Sequence, residues 1–189
     1  MNITNAIKHF KLICTHKYYV FKYCYKAGLA IPGIKHDLSK FCPAEFGESI
    51  KYYSGSESPI SVAKRTQGVS YAWLHHKGRN PHHYEYWQDD FDHGGKPIQM
   101  PFKYALEAIC DYLGAGKAYM GTNFSYSAEY AWWQERFQNP LAMHPQTKCF
   151  INLMLRTMAI ENSDDVLRKE RAILIYRTAH YLQNSDIHR

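Results

Sequence analysis

Four of the eleven histidines, His75, His76, His82 and His83, fall in one stretch, WLHHKGRNPHHYEYW, between Trp73 and Trp87. Two pairs on either side of a short Lys-Gly-Arg-Asn-Pro turn can aim several imidazoles at one point. Neutral imidazole is the commonest protein ligand for zinc and iron, so this spacing points to a metal centre. Such a centre also needs carboxylates to balance the ion's charge and outer partners to orient its ligands; without them the stretch reads as a polar surface loop. The rest of the chain supplies candidates in His16, the adjacent pair His36-Asp37, and Asp111.

The elements that must carry these residues follow from periodicity and punctuation. The spacing predicts a helix from about Asn5 to Ala27, stopped at Gly28. Leu12, His16, Val20 and Cys24 recur at i, i+4, which puts His16 in an apolar stripe facing the core, where a lone histidine is more often a satisfied core residue than a ligand. Leu29 to Ile34 reads as a loop and IKHDLSKF as a helix, on which His36 and Asp37 point about 100° apart with Lys40 one turn beyond. Pro43 suits the first turn of another helix, residues 54–59 break the pattern, and Ile60 to Arg65 reads as a short helix.

A helix over Val69 to Lys77 delivers His75 and His76 at its end. Asn80 is placed to cap, and Pro81 to begin, a further helix that His82 and His83 open. The two pairs then meet across a tight helix-helix turn, and either member of each pair can face inward. Residues 92–101 read as a loop. The helix from Pro101 to about Leu113 carries Asp111 on an apolar face, where a carboxylate needs a partner or a metal. Further helices are expected at Ser127 to Phe137, at Pro145 to about Ile160, and from a cap at Ser163 to Gln183. Met154, Leu155 and Met158 read as core. No stretch alternates at period two and no repeat or linker is visible, so the expected fold is all-α, a single-domain bundle of about seven helices.

Composition narrows the function. The 189 residues, 46% hydrophobic, suffice for a full core. No apolar run approaches the roughly 20 residues of a membrane span, and the amino terminus does not read as a signal peptide, so the expected location is cytoplasmic. Five widely spaced cysteines without a CxxC argue against a disulfide framework or zinc ribbon and fit reduced thiols. A net charge of +6 suits an anionic substrate. The basic residues are dispersed rather than gathered into a stripe, which ranks nucleic acid below a small phosphate-containing molecule.

Taken in order, His16, His36-Asp37, the two histidine pairs and Asp111 resemble the pattern of the HD-domain metal-dependent phosphohydrolase superfamily. HDLSK is similar to that superfamily's central His-Asp helix with its trailing lysine. The resemblance spans about residues 10–115, with the helices over 127–185 completing the bundle. More closely, HKYYVFKYCYKAGL, HDLSKF and WLHHKGRNPHHYEYW resemble a family of uncharacterised bacterial proteins of unknown function.

The superfamily resemblance implies a first metal held by His16, His36, Asp37 and Asp111, with Asp37 bridging to a second held by His76 and His82, or by His75 or His83 in their place. It implies one or two divalent transition ions, iron, manganese, zinc or nickel. Cations about 3.5 to 4 Å apart acidify water and neutralise phosphoryl oxygens during in-line attack. Asp37 and Lys40 are then the catalytic candidates, and Lys77 and Arg79 the residues to hold the substrate, a nucleotide or other phosphate ester. Two other readings remain: a di-iron oxygenase on the same scaffold, and a non-catalytic helical binding or regulatory domain. A homodimer through the carboxy-terminal helices is open. His9, His93, His144, His180 and His188 belong to no usable spacing and read as exposed or locally hydrogen-bonded.

Overall fold

Helix punctuation does most of the work of shaping this chain. The computed structural model describes residues 3–89, 92, 94–138 and 142–186. Helix α1 (Ile3–Lys26) is stopped by Gly28 at φ +74°; Gly28 N–H donates to Tyr25 O and Leu29 N–H to Cys24 O, the paired bonds of a Schellman end. The segment expected as a loop is a short helix, α2 (Ala30–Lys35), because the chain re-enters helical geometry directly after that turn. Prolines at the first turn open α3 (Pro43–Lys51) and α4 (Pro59–Gln67), and Gly68 at φ +80° closes α4. Ser70 caps α5 (Tyr71–Lys77), its hydroxyl accepting from Trp73 N–H at 3.1 Å.

The second half holds the longer core helices: α6 (Phe102–Met120), α7 (Tyr126–Gln138), α8 (Pro145–Glu161) and α9 (Lys169–Asp186). Helix α6 runs well past the expected end near Leu113 to Met120, with Gly114 and Gly116 kept in the helix where Val20 and Glu129 pack closely against them. Ser163 does not cap one long final helix. Its hydroxyl accepts from Asp165 N–H within a separate 3-10 turn, Asp165–Leu167, and extended Arg168 separates that turn from α9. Among the described residues the fold is all-α, with nine α-helices and no strand; Gln88 and Pro97 form an isolated bridge. No described helix is long and apolar enough to cross a membrane.

The core is contributed by α1, α6, α7, α8 and α9, with Val20, Leu106, Ile109, Leu113, Phe150 and Met154 fully buried in it. Leu155 and Met158 join Met154 there, as their spacing suggested. None of the five cysteines, all among the described residues, forms a disulfide; Cys24 and Cys110 are buried and Cys14 is exposed. The central contact is α1 against α6. A Cβ added at Gly114 would lie 2.4 Å from Val20 Cγ2 and 3.0 Å from Val20 N, so the missing side chain is what lets the two helices approach. Overpacking costs about 1–3 kcal/mol and exceeds the roughly 1 kcal/mol gained when alanine replaces a helical glycine. Gly114→Ala is therefore expected to lower stability by about 1–2 kcal/mol in chemical denaturation; an unchanged or raised midpoint would show that the crossing tolerates a side chain.

Candidate metal centre

Five segments bring the candidate ligands together. His16 comes from α1, His36 and Asp37 from the end of α2, His76 from the last turn of α5, His82 and His83 from the turn after it, and Asp111 from α6. His36 and Asp37 are not on a helix as expected. Helix α2 ends at Lys35, His36 is extended (φ −50°, ψ 127°), and Asp37 is left-handed (φ 52°, ψ 29°). A non-glycine residue there costs roughly 1 kcal/mol or more. The kink aims both side chains at one point, which the 100° helical step would not do. Lys17 holds the turn by donating to the carbonyls of Ile34 and His36.

The turn carrying His82 and His83 also differs from expectation. Asn80 does not cap a helix; its amide donates to His76 O at 2.8 Å and to Ser39 Oγ at 3.1 Å, tying the turn to α5 and to the 3-10 segment Leu38–Phe41. His83 is extended (φ −86°, ψ 129°), and only a 3-10 turn, Tyr84–Tyr86, follows. Trp87 Nε1 closes the loop on Pro81 O at 2.6 Å. The histidine pairs therefore meet between a helix end and a turn.

The resulting geometry centres on Asp37, which is wholly buried. Its Oδ2 lies 3.6 Å from His16 Nε2 and 3.3 Å from His36 Nε2; its Oδ1 lies 3.2 Å from His76 Nε2 and 3.3 Å from His82 Nε2. Asp111 Oδ1 stands 3.1 Å from His16 Nε2 and 3.2 Å from His36 Nε2. Two groups of possible ligand atoms share Asp37: His16, His36, Asp37 and Asp111 in one, and Asp37, His76, His82 and His83 in the other. Asp37 Oδ1 and the Nε2 atoms of His16, His76, His82 and His83 are buried without a hydrogen-bond partner, and Asp37 Oδ2 is paired with Lys40 alone. Orphaned imidazole nitrogens converging on an orphaned carboxylate oxygen are costly to bury unless a cation satisfies them, so these residues fit a transition metal.

Partners on the far side of each ring fix its orientation. Glu45 Oε2 is 2.8 Å from His76 Nδ1, while its Oε1 takes His75 Nδ1 at 2.7 Å. His76 thus faces the cluster and His75 points away from it. Glu107 Oε1 is 3.1 Å from His36 Nδ1 and 3.5 Å from His82 Nδ1. A carboxylate behind a ligating imidazole fixes its tautomer and raises its basicity. Neither Glu45 nor Glu107 stood out in the sequence. The available signal for Glu107 is its place one helical turn before Asp111 on the same face of α6.

Electrostatics follow from this crowding. Burial opposes ionisation of Asp37, yet His36, then Lys40 and His76, hold its pKa well below the ordinary carboxylate range. Lys40 Nζ sits 2.6 Å from Asp37 Oδ2. Burial and then His82 push His83 well below the usual imidazole value, so it is neutral.

Two adjoining cavities open beside the cluster. The inner, about 230 Å³, is bordered by His16, Lys40, His76, His83 and Asp111; the outer, about 590 Å³, has aromatic walls. Trp73, His83, Ala115 and Tyr119 border both. Lys77 and Arg79 border neither: Lys77 is half-buried, and exposed Arg79 donates to His75 O at 3.2 Å. The cations that reach the cavities are Lys40, Lys64 and Arg136.

Of the unassigned histidines, His144 is locally bonded, its Nδ1 accepting from Gln146 N–H at the start of α8. His180 is exposed, and His93 and His188 lie outside the described residues. His9 departs from expectation. It is buried between Phe46 and Tyr53, with ring centroids 5.6 and 5.3 Å away, borders the inner cavity, and leaves Nδ1 without a partner.

A family model described as a family of unknown function (DUF5662) matches residues 5–157, and the chain belongs to that family. No curated protein and no solved structure matches it.

Two outcomes test this geometry. Glu107→Gln keeps the size of the side chain behind His36 and His82 but weakens its hold on their Nδ1–H groups. It is expected to lower zinc affinity about 10- to 100-fold in chelator competition, and unaltered affinity would remove Glu107 from the site. Glu129, on α7, borders the outer cavity at 5% exposure, and burial, then the charge of Asp111, raises its pKa to about 7. The folded state thus binds this proton more tightly than the unfolded one. The associated stability is present below the unfolded pKa near 4.5 and lost as pH rises to 7. Relative to wild type, Glu129→Gln is expected to be more stable by on the order of 2–3 kcal/mol at pH 8, with the difference shrinking toward pH 4. A stability difference that does not change with pH would show that Glu129 titrates normally.

Proposed function

We propose that the chain, a member of that family of unknown function, is a metal-dependent phosphohydrolase of the HD type with a dinuclear centre. The observation that carries this reading is the shared Asp37: one buried carboxylate presents Oδ2 to His16 and His36 and Oδ1 to His76 and His82. His16, His36, Asp37 and Asp111 would hold one ion, and Asp37, His76 and His82, with His83 beside them, the other. Bound there, divalent cations supply Lewis acidity and an acidified water.

The chain's own groups prepare the rest. Lys40, bordering the inner cavity, steadies Asp37 and offers an ammonium to a phosphoryl oxygen. Glu45 and Glu107 keep Nε2 of His76, His36 and His82 turned inward. The low pKa of Asp37 keeps it ionised at neutral pH, so that it would offer both oxygens to cations held there. The organic part of a phosphate ester has room in the outer cavity.

Elemental analysis of untagged protein purified without chelator is expected to give about two transition-metal ions per chain, with phosphate released from aryl phosphates. Asp37→Ala and Asp111→Ala are expected to lose metal and turnover together. Full metal content in both variants would refute the site. Oxygen uptake by iron-loaded protein without phosphate release would refute the chemistry.

A further inference from the structure

Two buried carboxyl groups meet opposite fates. Asp37 is surrounded by imidazoles and Lys40, whereas Glu129, just as removed from water, has no hydrogen-bond donor or cation acting on it among the described residues. Its carboxyl rests in a notch that exists because residue 116 is glycine: a Cβ there would lie 2.1 Å from Glu129 Oε2 and 3.2 Å from its Cδ. Gly116 and Glu129 both border the outer cavity, so the notch holds the carboxyl at the cavity wall.

The surroundings restrict what can meet it. Trp73, Tyr84, Tyr112, Tyr119 and Trp132 line the same cavity and offer aromatic faces. The two cations on its border are engaged with two of these rings: Lys64 Nζ sits 4.9 Å from the Trp73 ring centroid and the Arg136 guanidinium 5.0 Å from that of Trp132. Glu57 is held by Arg65 through two hydrogen bonds of 3.0 and 2.5 Å. Glu85 adds another carboxylate to the wall. An unpaired buried carboxyl costs free energy that a ligand cation recovers, and aromatic faces attract the same kind of ligand through their quadrupoles.

We propose that the outer cavity is a subsite for a protonated amine, with Glu129 as the residue that recognises it. Resting on the phosphohydrolase reading, this makes the substrate a phosphate ester that carries an amino group at the end remote from the metals. The ammonium donates to Glu129 and packs its carbon skeleton on the aromatic walls, while the phosphoryl group reaches the inner cavity beside Lys40.

The test uses benzylamine and benzyl alcohol, which share a shape and differ in charge, titrated calorimetrically into full-length metal-loaded protein at pH 7.5, with inorganic phosphate as a separate probe. Benzylamine is expected to bind at least about ten-fold more tightly than the alcohol. Glu129→Gln, which removes an unpaired charge and so folds, is expected to abolish that preference while leaving the alcohol and phosphate unaffected. Equal binding of amine and alcohol, or a preference that survives in Glu129→Gln, overturns the subsite. Failure of phosphate to bind while the Glu129-dependent amine preference holds overturns the phosphohydrolase reading and supports the subsite.

Discussion

A carboxylate held wholly out of water at the meeting point of five chain segments is the constraint on which this structure depends. Stripping an ionised carboxylate of water costs several kcal/mol even after relaxation, so Asp37 is tolerable only with cations around it. Lys40 supplies one at 2.6 Å, and imidazoles from α1, the end of α2, α5 and the following turn complete the ring. Each of these segments is thereby tied to the same two oxygen atoms. The left-handed backbone of Asp37 belongs to the same bargain, since local strain persists only where the surroundings over-determine it.

The packing that makes such convergence possible lies one helical turn away. Val20 follows His16 by four residues on α1, and Gly114 follows Asp111 by three on α6, so the contact that seats Val20 against Gly114 also sets His16 opposite Asp111 at 3.1 Å. Val20, Ile109 and Leu113 are fully buried around this crossing, each contributing about 1.5–3 kcal/mol through removal from water. One turn back along α6, Glu107 reaches the rear of His36 and His82. Helix α6 thus provides core, ligand and orienting carboxylate from adjacent turns.

This division explains what could be read from the sequence and what could not. His16 and Asp111 were legible because helical periodicity placed a polar side chain on an apolar face, and the all-α class followed from the same periodicity. The inward face of each histidine pair was not legible. For His75 and His76 it is decided by Glu45, which takes Nδ1 of both from a helix some thirty residues earlier. The backbone at His36 and Asp37 was misjudged because IKHDLSKF has ordinary helical composition, and only tertiary demand explains its left-handed residue. Asn80 and Pro81 carry helix-start chemistry, but the Asn80 amide nitrogen donates back to His76 O, which ties the side chain to α5 rather than to a following helix. His9 and Glu129 gave no pattern, since burial without a partner cannot be seen in a one-dimensional string.

The separation between the two buried carboxyl environments is set by a rigid element. Asp111 faces the metal-ligand cluster and Gly116 forms the notch for Glu129, and both belong to α6, five residues apart. At 1.5 Å per residue the two places are offset by about 7–8 Å along the helix axis. A loop would leave that span adjustable; a helix packed against α1 and α8 does not. A ligand that engages both ends must match a length built into α6, and the different surroundings of Asp37 and Glu129 give those ends different chemical demands. Pairs of carboxyl groups pushed apart in pKa by their surroundings are how one fold assigns different tasks to the same functional group. Here the imidazoles and Lys40 hold the pKa of Asp37 well below the ordinary carboxylate range against its burial, whereas burial and then the charge of Asp111 raise that of Glu129 to about 7.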